Sequence, residues 1–432
     1  MLSAFVNAFK VPDLRKKLLF TLFVIAIYRL GSHIPVPGID IKTARSLTSV
    51  NGGVLGLLNL FSGGALTQLA VFALGIMPYI TSSIIMQLLA VVIPKLEAWQ
   101  KEGEIGVKKI TQWTRYLTVG LAILQSTGLA FLFHKGGLQN AQGQSVDLIP
   151  HFTPARVALI VLTLTAGTAL IMWFGELITT RGVGNGMSIL IFAAIVARLP
   201  AEGHAIYQQK GAGWFALILA LGVLIILAIV IVEQGQRRIP VQYAKRVVGR
   251  KLYGGSSTYI PLKVNQAGVI PVIFASSLLY LPALAVNLTD RNNPPGWALW
   301  VQTYLVKGDH PLYMIIYFGL IVFFPYFYVA ITFNPTEVSD NMKKYGGFIP
   351  GIRAGRPTAE YLDYVLSRIT AVGALYLGMI ALIPLIALGL FHANSNFPFG
   401  GTAILIIVGV GLETVKQIES QLQQRNYEGF LR

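Results

Sequence analysis

Cysteine is absent from all 432 residues. No disulfide, thiolate nucleophile or cysteine-held metal is therefore open to this chain. Charge is scarce as well: Asp, Glu, Lys and Arg make up 12% of residues, about half the share of a soluble domain. Polar stretches reach only about thirty residues, too short for a separate soluble domain. None of the six histidines opens an H-E-x-x-H zinc pair, and no G-x-S-x-G nucleophile elbow occurs. The eighteen Asp and Glu avoid the centres of the apolar stretches; Glu176, Glu233 and Glu413 come closest, each near a cytoplasmic helix end. Ion-coupled transporters bind and release charge at depth, so this distribution weighs against them.

What the chain does have is apolar length. Hydrophobic residues make up 54% of it, and the mean hydropathy is +0.63. Stretches long enough to span a bilayer lie near 18–36, 70–93, 113–133, 155–175, 186–199, 214–232, 267–288, 312–333, 364–389 and 401–418. The run after Lys16-Lys17 is itself span-length, and no small-residue cleavage site precedes "GSHIPVPGID", so a first span is expected there rather than a cleaved leader. With the N-terminus in the cytoplasm, 25 of the 34 Lys and Arg fall on the cytoplasmic side and 9 outside, which is the bias that sets orientation. Ten spans put both termini in the cytoplasm. They divide into halves of five, residues 1–200 and 201–432, and because five is odd the halves run through the membrane in opposite senses.

One segment departs from a plain bundle. From Val54 to Ile93 the chain is almost continuously apolar, about 60 Å if it were one helix, twice what a bilayer needs. A break is required, and Gly63-Gly64 in "LLNLFSGGAL" is the obvious place, with the following span starting near Ala70. The piece before the glycines makes a helix of roughly half the membrane thickness. Either it dips back from the outer side into a protein-lined cavity, the only setting in which irregular backbone is tolerated at depth, or it lies on the outer surface with Asn59 among the headgroups. Length and composition favour neither.

Two cytoplasmic loops are longer and more basic than topology requires. Residues 234–264 carry seven Lys or Arg and no acid, and their Thr/Tyr/Val alternation predicts a β-hairpin. Residues 334–363 are rich in glycine and proline turns. Such loops suit a large anionic partner held by salt-sensitive contacts. "GVGNG", Gly182 to Gly186, reads as a tight turn between spans, since no strand precedes it. "RPTAEYLDYV" reads as a helix start capped by Thr358.

The motifs "NLFSGGAL", "FALGIMPYI", "RGVGNGMSI", "YAKR", "PLKVNQAGVIPVIFASS", "FNPTEVSDNMKK" and "GGFIPGIR" together resemble the SecY family of bacterial protein translocase channels, from about Pro12 to about Arg425. The resemblance implies an all-α polytopic membrane protein, with ten transmembrane helices in two inverted five-helix halves around a central pore that opens sideways between spans two and seven. It implies that the half-length segment, residues 53–64 with Leu57, Leu58, Asn59, Leu60, Phe61, Gly63 and Gly64, is a re-entrant plug, which resolves the two alternatives above. A pore ring would be formed by Ile76, Ile80, Met187, Ile191, Ile273 and Ile406, with Ile404 or Leu405 as the alternative at the last position. A narrow apolar collar resists wetting and holds back ions. Apart from the resemblance, each of these residues reads as ordinary helix packing. Lateral-gate polar positions would be Thr81, Gln125 and Asn265. Ribosome or SecA contacts would be Arg250, Lys251 and Arg353, where Lys251 stands at the second place of the family's usual arginine pair and lacks the bidentate fork. The implied activity is a passive channel with no cofactor, moving unfolded secretory proteins across the cytoplasmic membrane and releasing membrane proteins into the lipid bilayer. The implied partners are SecE, SecG, the ATPase SecA, the translating ribosome and signal sequences.

Overall fold

A computed structural model describes residues 9–39, 59–134, 138–139, 145–146, 148–149, 152–243, 246–248, 251–253, 257–287, 289, 294–306, 310–391 and 401–430. Its main elements are helices: α1 (Pro12–Gly31), α2 (Met77–Val92), α3 (Pro94–Lys101), α4 (Glu104–His134), α5 (Pro154–Arg181), α6 (Gly186–Gln234), α7 (Ile270–Asn287), α8 (Gly296–Val301), α9 (Pro311–Thr332), α10 (Pro335–Lys344), α11 (Arg356–Phe391) and α12 (Gly401–Phe430). Proline stands in the first turn of α1, α2, α3, α5, α9 and α10. Its missing N–H belongs to a group that would lack a helical partner there anyway, and its fixed φ favours the start. Asn185 and Asn334 cap α6 and α10 by accepting from the backbone N–H groups two and three residues on.

Segments within Glu104–His134, Pro154–Arg181, Gly211–Gln234, Pro311–Lys344 and Arg356–Ile383 are each long and apolar enough to cross a bilayer. The pair α2 and α3, bent by 101° at their junction, makes a sixth among the described residues if counted as one span. The chain is thus a multi-pass helical membrane protein. Helix α6 covers two of the expected stretches, 186–199 and 214–232, and is broken by Gly211 at φ 81° and ψ 174°. Helix α2 packs on α4 and α7, α4 on α5 and α7, α5 on α1 and α6, α6 on α12, and α9 on both α7 and α11.

Three expectations are corrected. The second apolar stretch does not become helical at Ala70: α2 starts at Met77, and residues 62–76 form a succession of turns. Leu69 and Gly75 have φ of 47° and 57° there, left-handed values that interrupt a helix, and Pro78 then opens α2. Thr358 does not cap α11, which begins at Arg356; its hydroxyl donates to the Arg353 carbonyl at 2.9 Å. The predicted hairpin is present but has a third strand. In chain order the strands are β1 (Leu138–Gln139), β2 (Ser145–Val146), β3 (Gln236–Tyr243), β4 (Arg246–Val248), β5 (Lys251–Tyr253), β6 (Ser257–Lys263) and β7 (Gly347–Phe348). β3 pairs antiparallel with β6 from Gln236–Lys263 to Gln242–Ser257, and β7 from the second loop adds to the other edge of β3. The two basic loops are therefore one body, with a small core of Ile239, Val241, Leu262, Val329, Met342, Ile349 and Leu362.

Candidate functional site

The turns between Ser62 and Ile76 lie in the main apolar core. Phe61, Ala65, Leu66, Leu69, Ala70, Phe72, Ala73, Leu74 and Ile76 are all buried. Several of their backbone groups pair locally across single turns: the N–H groups of Ala65, Leu69, Ala73 and Gly75 donate to the carbonyls of Ser62, Leu66, Ala70 and Phe72. The extended stretch after α1 ties on by a short antiparallel bridge, Val36 N–H to the Leu69 carbonyl and Val71 N–H to the Ile34 carbonyl, each 2.9 Å. Protein thus surrounds this non-helical backbone and pairs several of its polar groups, the setting that irregular backbone needs within a membrane protein.

Of the expected plug, Leu57 and Leu58 lie outside the described residues, while Asn59, Leu60 and Phe61 are helical. Their helix ends in a Schellman motif. The Gly64 N–H donates to the Asn59 carbonyl at 2.9 Å and the Gly63 N–H to the Leu60 carbonyl at 3.2 Å. Gly63 and Gly64 take φ of 66° and 86°, the left-handed region that this ending needs. Gly63 is required twice over, because a Cβ on it would stand 3.1 Å from the Cα of Ala194 in α6. Asn59 is buried, and its side-chain oxygen has no hydrogen-bond partner among the described residues.

The expected ring positions share a placement that sequence spacing did not indicate. Ile76 and Ile80 flank the start of α2, Met187 and Ile191 lie in the first turns of α6, Ile273 in the first turn of α7, and Ile406 in the second turn of α12. Ile76, Ile80, Ile191, Ile273 and Ile406 are buried in one hydrophobic core together with Phe61, Ile404 and Leu405. Met187 is partly exposed at its edge. The Met187 thioether lies against Gly175 of α5, so its side chain leans toward α5.

The expected polar gate positions are on adjoining elements but do not bond one another among the described residues. Thr81 in α2 donates to the Met77 carbonyl of its own helix at 2.9 Å. Gln125, buried in α4, has neither amide atom paired among the described residues. Asn265, just before α7, donates to Glu233 at the end of α6 at 2.5 Å and to the Gly268 carbonyl at 3.0 Å. A bidentate ion pair that the sequence did not suggest joins α4 to α5: Arg115 Nε and Nη2 donate to the two carboxylate oxygens of Glu176, each at 2.7 Å. It accounts for the Glu176 carboxylate near an apolar stretch.

On the basic loops, Arg353 is solvent-exposed in the turn before α11. Arg250 lies outside the described residues, and Lys251 opens β5, which pairs with β4. Among the described residues no cluster of three His, Asp or Glu has a metal-binding arrangement.

A SecY family model matches residues 70–415. A curated relative, "Protein translocase subunit SecY" of Streptomyces galbus, is 63% identical across the whole of both chains. Among solved structures, one described as "The structure of a protein conducting channel" superposes with a TM-score of 0.64 at 18% identity, covering 96% of each chain. Another, "Sec61 in the Canine ribosome-channel complex from the endoplasmic reticulum", gives a TM-score of 0.60 at 17% identity over the same shares. At such identities the structural likeness speaks to the fold.

Proposed function

The chain belongs to the SecY family, and from that membership we propose that it forms the protein-conducting channel of a bacterial translocase in the cytoplasmic membrane, with both termini in the cytoplasm. The family is one of channel subunits, not enzymes. Work comes from partners, SecA or a translating ribosome, and the neighbouring membrane subunits are SecE and SecG. The ten apolar stretches form two inverted halves, 1–200 and 201–432. Signal sequences enter the seam where α2 packs on α7, and hydrophobic segments leave through it into lipid.

One observation carries the reading. The helix end at Asn59–Phe61, too close to the following turns to be a separate span, is buried in the same core as Ile76, Ile80, Ile191, Ile273 and Ile406. A short segment seated against an apolar collar is what sealing a polypeptide-sized pore needs. The collar excludes ions by resisting wetting, and its side chains offer a passing chain nothing to bind tightly. The Gln125 amide, which finds no partner among the described residues, supports the gate. A buried polar group without a partner costs roughly 1–3 kcal/mol, so the seam beside it is held less firmly than an all-apolar one. The fused basic body with exposed Arg353 supports a cytoplasmic docking face, and the fold neighbour Sec61 occurs in a ribosome-channel complex.

The test is deletion of residues 53–64 in the full chain, reconstituted with its membrane partners. Persisting transport of a secretory precursor with a leaky resting membrane is expected. A tight membrane with lost transport would make the segment structural and remove the plug from the mechanism.

A further inference from the structure

The last turn of α1 carries a basic residue, Arg29. A cation there ordinarily serves its own helix, whose final carbonyls carry partial negative charge. Here those carbonyls are met by backbone and by small side chains. Ser32 N–H and hydroxyl both donate to the Tyr28 carbonyl, and the Leu30 carbonyl accepts from the His33 N–H. The His33 ring nitrogen Nδ1 lies 2.8 Å from the Arg29 carbonyl. The Arg29 guanidinium instead reaches a residue 34 positions away, and its Nη1 donates to the Gly63 carbonyl at 2.8 Å.

That carbonyl is a particular one. Gly63 is the left-handed residue of the Schellman ending, and its carbonyl is the acceptor of the Arg29 guanidinium. Gly63 is buried against Ala194. If the segment moves outward, the Gly63 carbonyl leaves both the guanidinium and the α6 backbone together. A charge-assisted bond to a buried carbonyl is the strongest kind of single contact available here, and it sits on the two-glycine hinge rather than on the apolar body of the segment.

We propose that Arg29 is the positioning residue that latches the plug hinge: its bond to the Gly63 carbonyl holds the plug seated, and breaking it is part of channel opening. The proposal rests on the plug reading above. Losing one such bond changes an equilibrium by roughly ten-fold or more, so resting ion conductance is expected to rise by that order. Translocation of a precursor with a weakened signal sequence rises in parallel, because less of the signal's binding is needed to unseat the plug.

The experiment compares the full chain, Arg29→Gln, Arg29→Met, Arg29→Lys and the 53–64 deletion, each reconstituted with its membrane partner subunits, in planar bilayers in potassium chloride. Arg29→Met keeps the aliphatic stem and removes only the donors. Arg29→Gln and Arg29→Met are expected to leak between the parent and the deletion, with Arg29→Lys returning most of the seal. If the deletion leaks and both neutral variants stay tight, the latch is wrong and the plug stands. If the deletion itself stays tight, the plug reading fails first. Failure of both neutral variants to assemble would make Arg29 a folding residue and overturn the proposal.

Discussion

Asn265 and Glu233 are joined by a 2.5 Å hydrogen bond that ties the end of α6 to the entrance of α7. The Asn265 amide also holds the Gly268 carbonyl, so one side chain fixes both the neighbouring helix and the turn that launches α7. Asn265→Asp sets a second acceptor against the Glu233 carboxylate. It is expected to cost about 1–3 kcal/mol and to loosen the start of α7, lowering the melting temperature of the detergent-purified protein. Exchanging the roles, with Glu233→Gln added to Asn265→Asp, supplies a donor again. Partial recovery is expected, because the exchange restores the bond between α6 and α7 but leaves the Gly268 carbonyl facing a carboxylate, and a double variant no better than the single would mean that the Asn265–Glu233 bond contributes nothing to stability.

Gly186 and Gly175 make a second contrast. A Cβ on Gly186 would run into the carbonyl of Gly175, whereas the nearest atoms to a Cβ on Gly175 belong to the flexible Met187 side chain. Backbone must move in the first case and a side chain in the second. Small residues that let two membrane helices approach closely are costly to enlarge. Gly186→Ala is therefore expected to destabilise by about 1–3 kcal/mol and Gly175→Ala by clearly less, read as thermal melting of the purified protein. Equal losses would mean that Met187 is as rigid as backbone.

The two glycines at the end of the proposed plug differ in the same way. Both take left-handed φ, so alanine at either position costs roughly 1 kcal/mol in strain. Only Gly63 also abuts Ala194 at 3.1 Å, while the nearest atoms to a Cβ on Gly64 are at 3.9 Å. Gly63→Ala is expected to unseat the segment and raise resting conductance well above that of Gly64→Ala. Matching conductances would show that backbone conformation alone, not the fit to α6, holds the hinge.

Much of this was legible in the sequence, and the gaps have physical causes. Apolar length located the membrane-length helices, and the Thr/Tyr/Val alternation of residues 234–264 located the hairpin, because hydrophobic period and length are properties of a local stretch. The onset of α2 at Met77 was not legible: residues 70–76 are apolar enough to continue a helix, and the left-handed Leu69 carries no sequence mark. Pairing of β7 with β3 joins residues about a hundred positions apart and leaves no local trace. Arg29 is one of the nine Lys and Arg that the charge count puts on the outer side, but its bond to Gly63 depends on where the chain returns. Close approaches such as Gly186 on Gly175 are equally silent, since glycine in "GVGNG" is explained just as well by a turn.

The proposed collar makes the most direct prediction. Ile80 and Ile191 are deeply buried in the shared core at the starts of α2 and α6, whereas Met187 is partly exposed and leans on Gly175. A hydrated side chain at a dewetting constriction lowers the barrier to water and ions, and its effect scales with how far it projects into that constriction. Ile80→Asn and Ile191→Asn are expected to make the resting channel conduct potassium and chloride, with precursor transport retained. Met187→Asn is expected to leak less, because the side chain it replaces already points partly toward α5. Single-channel recording separates the cases. Unchanged conductance in both isoleucine variants would remove them from the collar. A Met187 variant leaking as much as Ile191→Asn would mean that the thioether swings back from Gly175 to complete the seal.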